Sequence, residues 1–238
     1  MSAILEARGL TVGYGTLAVA RDIDFTVEPG RVMLILGPNG AGKTTTLLTL
    51  AGALRPLEGD VVLAGNSIAA PLHKRVKEGL AFVPDERGVI TRLTVDENLR
   101  LCPGDPARAF ELFPELHDHR KRRSGLLSGG QQKMLALALA LSRRPKVLLA
   151  DELSLGLAPR LVDRLLDTVS SAARESGVGV VLVEQHAHQA LDIADDVMLL
   201  AHGHVEMSGP VSEIRAELDK VLASGYLAVS GNGTSHHR

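Results

Sequence analysis

Short continuous apolar runs punctuate the chain, each closed by Gly, Pro or polar residues, and helically spaced apolar positions lie between them. Val32-Met33-Leu34-Ile35-Leu36, after the turn Glu28-Pro29-Gly30, is the clearest of these runs. It predicts a strand covered on both faces, as at the centre of a parallel sheet. Residues 80–83, 147–150 and 178–183 predict further strands of this kind. Before residue 30 the runs LTVGY and DIDFTV predict small strands joined by turns, and a β-like piece follows at 60–64.

Leu47, Leu50, Ala51 and Leu54 recur at helical spacing, with Arg55-Pro56 as the stop. Thr94 and Glu97 form a capping-box pattern that starts a helix, and the chain reads as mostly helical from there to about 144. Met134 to Leu141 alternates Leu and Ala with the period of a strand. Ala and Leu are strong helix formers, Gly129-Gly130 precede the run and Arg143-Arg144-Pro145 close it, so a helix is expected. Strands alternating with helices predict an α/β fold around a parallel sheet. No internal repeat is found, and the small polar stretch 230–238 has nothing to bury and is expected to fray.

Composition removes several function classes. In 238 residues, 26 Lys plus Arg stand against 28 Asp plus Glu, a net charge of −2, so no overall field draws nucleic acid or anionic lipid. Aromatics are 3% of the chain with no Trp, too few for base-stacking platforms. A single cysteine, Cys102, fits a reducing compartment. The opening MSAILEARGL mixes both charge signs, so no signal peptide is expected, and no uncharged stretch approaches the ~20 residues of a membrane span.

Three segments carry chemistry. Gly37-Pro38-Asn39-Gly40-Ala41-Gly42-Lys43-Thr44 fits the phosphate-loop pattern between a buried strand and a helix. Its glycines let backbone amides wrap a phosphate, Lys43 neutralises the β and γ phosphates, and the Thr44 hydroxyl can ligate Mg²⁺; Thr45 belongs with the same nucleotide-binding residues. Asp151 ends an apolar strand at the edge where ligands of open α/β sheets bind, which suits it to the metal. Glu152, pointing elsewhere, can act as general base on an attacking water. Ser128-Gly129-Gly130-Gln131 opens a helix with a capping Ser, a second anion-binding helix start.

LSGGQQ, 23 residues before the Asp151-Glu152 pair, resembles the signature of the ATP-binding cassette (ABC) ATPases, and the resemblance covers residues 3 to 226. It implies a phosphate-loop NTPase core with a mainly parallel sheet, a small antiparallel β subdomain and an inserted helical subdomain. The corresponding division is a core of 1–88 and 145–229, a helical subdomain of 89–144 and a tail of 230–238. It also implies ATP and Mg²⁺ as cofactors, with Ser128 to Gln131 of one subunit closing over ATP on the loop of another. The second ATPase subunit would make a homodimer or a heterodimer. Transmembrane permease subunits are the implied further partners, with no nucleic acid, and the location is cytoplasmic, on the inner face of the cell membrane.

The same resemblance places Tyr14 against adenine and His186, beside Lys43 and Glu152, among the catalytic residues. The stretch VPDERGVITRLTVDENL resembles the loop that senses the membrane partner. Its usual Gln is replaced by Asp85, or by Glu86 with a one-residue shift, and Asp85 could approach the metal. Leu153 stands where Pro is usual and Ala158 where Asp is usual, the latter removing a polar contact across the dimer. SLGLAP, the acidic residue after Val83-Pro84, VEQ, IAD and Tyr226-Leu227 together resemble the ATPase subunits of branched-chain amino acid importers, although many of those carry Asn at the position of His186. A soluble cassette ATPase, a non-hydrolysing nucleotide binder and an importer of another small polar solute are the rival expectations.

Overall fold

The structure, a computed structural model, describes residues 2–67, 70–86, 88–185 and 187–223. The chain opens with β1 (Leu5–Tyr14), β2 (Leu17–Val27) and β3 (Val32–Leu36), then α1 (Lys43–Ala51), β4 (Glu58–Leu63), β5 (Asn66–Ser67), α2 (Leu72–Lys77) and β6 (Leu80–Val83). A helical stretch follows: α3 (Val95–Leu101), α4 (Pro106–Leu112), two 3-10 turns (Pro114–His119 and Ser124–Leu126) and α5 (Gly129–Leu141). The remainder is β7 (Val147–Asp151), α6 (Pro159–Ser176), β8 (Gly179–Glu184), α7 (Ala187–Leu191), β9 (Asp196–Ala201), β10 (His204–Pro210) and α8 (Val211–Ala223).

The larger sheet runs β10-β9-β3-β8-β7-β6, and every pair in it is parallel except β9 with β10. The smaller sheet, β2-β1-β4-β5, is antiparallel throughout. Apolar packing explains the uninterrupted runs. Val32, Leu34 and Leu36 of β3 join one buried cluster while Met33 and Ile35 join another on the opposite face. Both faces of the central strands are thus covered, and their charged residues, Asp151 and Glu184, stand only at the carboxyl ends. The α/β fold with a mainly parallel sheet and a small antiparallel one is as the sequence predicts.

The alternating run in α5 has a simple cause. Residues 134–138, 140 and 141 are all buried, and a helix enclosed all round has no polar face to impose a 3.6-residue period. In α6, by contrast, Val162, Leu165, Leu166, Val169, Ala172 and Ala173 are buried, the stripe of a half-covered helix. Val95, Leu99, Phe113 and Leu116 of the helical stretch belong to the same buried cluster as β7 and β8, so that stretch packs on the sheet.

Some boundaries differ from expectation. Helix α1 ends at Ala51, because Gly52 takes a left-handed φ of 79° and donates its N–H to Thr49 O at 3.0 Å; the apolar Leu54 lies beyond the helix. A side chain at position 52 would meet Arg75 Nε at 2.6 Å, so glycine is required by space as well as by φ. Strands β9 and β10 and helix α2 are additional to the elements read from the pattern. The edge strand β10 alternates exposed and half-buried residues, a weaker signal than an uninterrupted apolar run. Tyr226-Leu227 and the tail 230–238 lie outside the described residues.

Candidate functional site

The carboxyl ends of β3, β7 and β8 lie side by side, with Leu36 paired to Glu184 and Asp151 to Val183. Parallel strands end here in register, so whatever follows them gathers at one sheet edge. After Leu36 the chain turns through Gly40 and Gly42, whose φ values of 82° and 104° suit glycine, and enters α1. Gly42 is also crowded: a Cβ there would lie 3.0 Å from Ala20 Cβ and 3.2 Å from Val19 Cγ1. The first hairpin is thereby packed against the loop, and Tyr14 stands at its tip, exposed. Gly42, the N-cap residue of α1, supplies no side-chain cap, which leaves first-turn amides for a ligand.

Lys43 is buried, and its Nζ donates to Gly37 O at 2.8 Å and Pro38 O at 3.1 Å, 3.9 Å from Glu152 Oε1. Burial lowers its pKa, while Glu152, Asp151 and Glu184 pull it back up. Thr44 is exposed and Thr45 buried. Asp151 is 2% exposed, and its Oδ1 has no hydrogen-bond partner among the described residues. Its pKa is raised to about 6, chiefly by burial, with the Thr44 hydroxyl and Lys43 opposing the rise and Glu152 and Asp85 adding to it. A buried, under-satisfied carboxylate beside a hydroxyl and next to a phosphate loop fits a divalent cation. Among the described residues no group of three or more His, Cys, Asp or Glu could hold a metal, so such a cation would take most ligands from phosphate and water, as Mg²⁺ does.

Glu152 has a left-handed φ of 44°, uncommon outside glycine. Its N–H donates to Val183 O at 2.9 Å, and its carbonyl accepts from Lys133 Nζ at 2.9 Å. The same Lys133 Nζ lies 3.1 Å from Asp85 Oδ1, so Asp85, expected near the metal, pairs with a cation from α5. Leu153, occupying the usual Pro position, is fully buried in the core.

Ser128 caps α5 by accepting from Gln131 N at 3.2 Å, and Gln131 Oε1 accepts from Ser128 N at 3.0 Å. Gln131 Nε2 also lies 2.8 Å from His119 Nε2. A Cβ on Gly129 would meet nothing within 4 Å, whereas one on Gly130 would lie 1.8 Å from Leu161 Cδ2. The helix start is therefore open at Gly129 and closed on α6 at Gly130. No hydrogen bond or ion pair joins residues 128–131 to residues 37–45 among the described residues. His186 lies outside the described residues.

Two side chains at this edge escaped the sequence reading. Glu184 is buried, accepts from Ser154 N at 3.0 Å and from the Ser154 hydroxyl, and burial raises its pKa to about 7. A carboxylate ending an apolar run, the feature that singles out Asp151, could have flagged it. Lys133 carried the fainter signal of a lone charge ahead of an apolar helical run.

A phosphate loop, a buried Asp at a strand end and a second open helix start on a parallel sheet define a phosphate-loop nucleotide triphosphatase. The chain belongs to the ABC transporter family, whose model matches residues 20–154, and is an ATP-hydrolysing subunit of that class. It is 38% identical over 204 residues to the high-affinity branched-chain amino acid transport ATP-binding protein BraG of Pseudomonas aeruginosa, covering 82% of this chain and 87% of the relative. To the probable branched-chain amino acid transport ATP-binding protein LivF of Archaeoglobus fulgidus it is 34% identical, covering 89% and 94%. The lipopolysaccharide export system ATP-binding protein LptB of Acidithiobacillus ferridurans is 33% identical, covering 90% and 93%. Among solved structures, an ATP-binding cassette of an ABC transporter in its ADP conformation superposes with a TM-score of 0.81 at 25% identity, covering 96% of this chain and 98% of that one. The resemblance to branched-chain amino acid ATPase subunits therefore holds across nearly the whole chain. No helix among the described residues is long and apolar enough to cross a membrane.

Proposed function

We propose that the chain binds MgATP on residues 37–45 and hydrolyses it against the Ser128–Gln131 segment of a second ATPase subunit, powering import of branched-chain amino acids through membrane subunits. The observation that carries this reading is that Lys43, Asp151 and Glu152 converge on one loop, while the other helix start opens to solvent at Gly129. Lys43 would turn from its own loop carbonyls to the β and γ phosphates, where a desolvated cation is worth most. Thr44 and Asp151 would hold Mg²⁺, which when bound supplies positive charge to the phosphate oxygens. Glu152 takes the proton of the attacking water as the γ phosphate is transferred. His186 would contact the γ phosphate and Tyr14 would stack on adenine. The domain division into a core of 1–88 and 145–229 with a helical insert of 89–144 is the frame in which the insert meets the membrane partner, on the cytoplasmic face.

BraG and LivF support amino acid import. A second reading, lipopolysaccharide export, is favoured by LptB at 33% identity. Copurification with the membrane partner separates them: ATPase activity in proteoliposomes is expected to rise with leucine, isoleucine or valine. A rise with lipopolysaccharide and none with amino acids would overturn the import reading. The shared site is tested by light scattering of Glu152→Gln, which keeps the shape of the site but lacks the base. Mass should double with MgATP and not with ADP, and Ser128→Arg should abolish the doubling. Mass that never doubles at high protein concentration would sink the shared-site mechanism.

A further inference from the structure

The Lys133 side chain is mostly enclosed, and its ammonium joins three elements that are distant in sequence. It leaves α5 in its second turn, lies 3.1 Å from Asp85 Oδ1 just after β6, and donates to Glu152 O at 2.9 Å just after β7. The peptide it grips is unusual. Glu152 is held at a φ of 44°, a conformation a residue with a side chain keeps only when its surroundings over-determine it. On the amino side Val183 O fixes the Glu152 N–H at 2.9 Å. On the carbonyl side the bond is from Lys133. These two bonds set the direction of the Cα–Cβ bond and so place Glu152 Oε1 3.9 Å from Lys43 Nζ.

Surface lysines seldom fix anything, because a solvated ammonium on a flexible stem gains little from a single contact. Lys133 differs in being packed away from water, with one acceptor carrying a full charge and the other a backbone carbonyl. Asp85 holds the ammonium in place, and the ammonium holds the strained peptide. The arrangement also ties the start of α5, with its open Gly129, to the orientation of the carboxylate beside the phosphate loop.

We propose that Lys133 is a positioning residue for hydrolysis: anchored by Asp85, it pins the Glu152 carbonyl and thereby aims the Glu152 carboxylate, so that hydrolysis depends on where α5 sits. This rests on the reading of Glu152 as general base. It follows that a shift of α5 by a few ångström breaks the bond to Glu152 O and lets the carboxylate turn away without touching the nucleotide-binding loop.

The test uses the purified full-length chain and its variants Lys133→Met, Lys133→Arg and Asp85→Asn, each with and without Glu152→Gln. Lys133→Met keeps the length and apolar stem while removing the ammonium. It is expected to lower kcat at least tenfold while the Kd for MgATP, measured calorimetrically, changes less than twofold. Lys133→Arg, which restores a donor cation, should recover at least half of the lost rate on a logarithmic scale, and Asp85→Asn should show a smaller loss of the same kind. With Glu152→Gln already present, Lys133→Met should cause no further loss. If Lys133→Met keeps kcat within twofold, raises Kd as much as it lowers kcat, or loses the same factor in the Glu152→Gln background, the proposal is wrong. Should Lys133→Met fail to fold by circular dichroism, Lys133→Arg and Asp85→Asn still decide: kcat within twofold of the parent in Asp85→Asn overturns the anchoring role. Failure of the underlying reading is separately visible, because Glu152→Gln alone would then still hydrolyse ATP.

Discussion

The starts of α1 and α5 are built from the same local device, a Gly-containing entry to a helix, yet they are finished in opposite ways. At α1 the cap position is Gly42, with no side chain to occupy the first-turn amides, and Lys43, Asp151 and Glu152 crowd around it. At α5 the Ser128 hydroxyl and the Gln131 carboxamide already satisfy one another's backbone amides, which leaves Gly129 and Gly130 as the unclaimed donors. A side-chain cap stabilises a helix at the expense of its ability to hold an anion. The lesson is that an uncapped start with charged neighbours is a primary binding site, and a capped start with one open glycine is a supplementary one that needs a nucleotide presented to it.

The comparison breaks most directly at Lys43. Lys43→Ala should weaken MgATP binding about 1,000-fold, or ~4 kcal/mol, with the far-ultraviolet circular dichroism unchanged. Calorimetric titration showing native affinity in the folded variant would mean that the uncapped start of α1 is not where the phosphates sit.

The far end of α1 is held differently, by the buried Arg75. Its Nη1 donates to Thr49 O at 3.1 Å and Leu50 O at 2.6 Å, and its Nε to Ala70 O at 2.9 Å. These bonds close the carbonyl end that Gly52 terminates. Arg75→Met should cost about 3 kcal/mol, because buried carbonyls lose their donor. The urea midpoint of the nucleotide-free chain reads the loss. A shift of less than 1 kcal/mol would show that Gly52 alone fixes the end of α1.

What the sequence makes legible and what it hides divide along this same line. The phosphate loop and the Asp151-Glu152 pair are contiguous strings, and their chemistry follows from neighbours one to seven residues apart. The anchors of those strings are not contiguous. Lys133 reaches 48 residues back to Asp85, and Glu184 reaches 30 residues back to Ser154. Periodicity carries no record of such pairs, since it reports which face is buried and not what the face meets. The close of α1 departs from the pattern for a related reason: Leu54 continues the helical spacing, but Gly52 and the packing of Arg75 end the helix before it. Enclosure of α5 likewise erased the period that would have marked it.

A third effect is smaller and depends on pH. Burial raises the Glu184 carboxyl from an ordinary 4.5 to about 7. Between those values the folded chain keeps a proton that the unfolded chain has released, so this group's contribution to stability falls as pH rises from about 4.5 to 7 and is lost above it. Glu184→Gln can still accept from Ser154 N through its carbonyl and donate to the Ser154 hydroxyl through its amide. Relative to the parent, it should therefore gain about 2 kcal/mol between pH 5 and pH 8. Urea titrations at the two pH values check this, and a constant difference would mean that Glu184 is charged in the folded chain throughout.

The smallest effect sharpens the comparison by adding a third helix start. Ala158 is the N-cap residue of α6, with the extended φ and ψ of −68° and 145° that capping residues adopt, and it makes no side-chain bond. Pro159 at the first helical position has no N–H, and Leu161 N already bonds Ala158 O at 2.9 Å, so Arg160 N is the donor within reach of a cap. Unlike α1, this start has, among the described residues, no Lys or buried acid hydrogen-bonded or ion-paired to its first turn. If unclaimed first-turn amides are useful only where such a site exists, supplying a cap here should stabilise the chain and cost nothing in ligand binding. Ala158→Asp supplies one: its carboxylate can accept from Arg160 N and lies favourably at the positive end of the helix dipole. The expected gain is about 1 kcal/mol, or ~3 °C in the thermal midpoint for a domain of this size, with the Kd of the single subunit for MgATP unchanged. A thermal scan of the nucleotide-free chain measures the first, and calorimetry the second. A lowered midpoint would mean that Ala158 is retained for close packing at this turn, and the distinction between capped and uncapped starts would then hold only for α1 and α5.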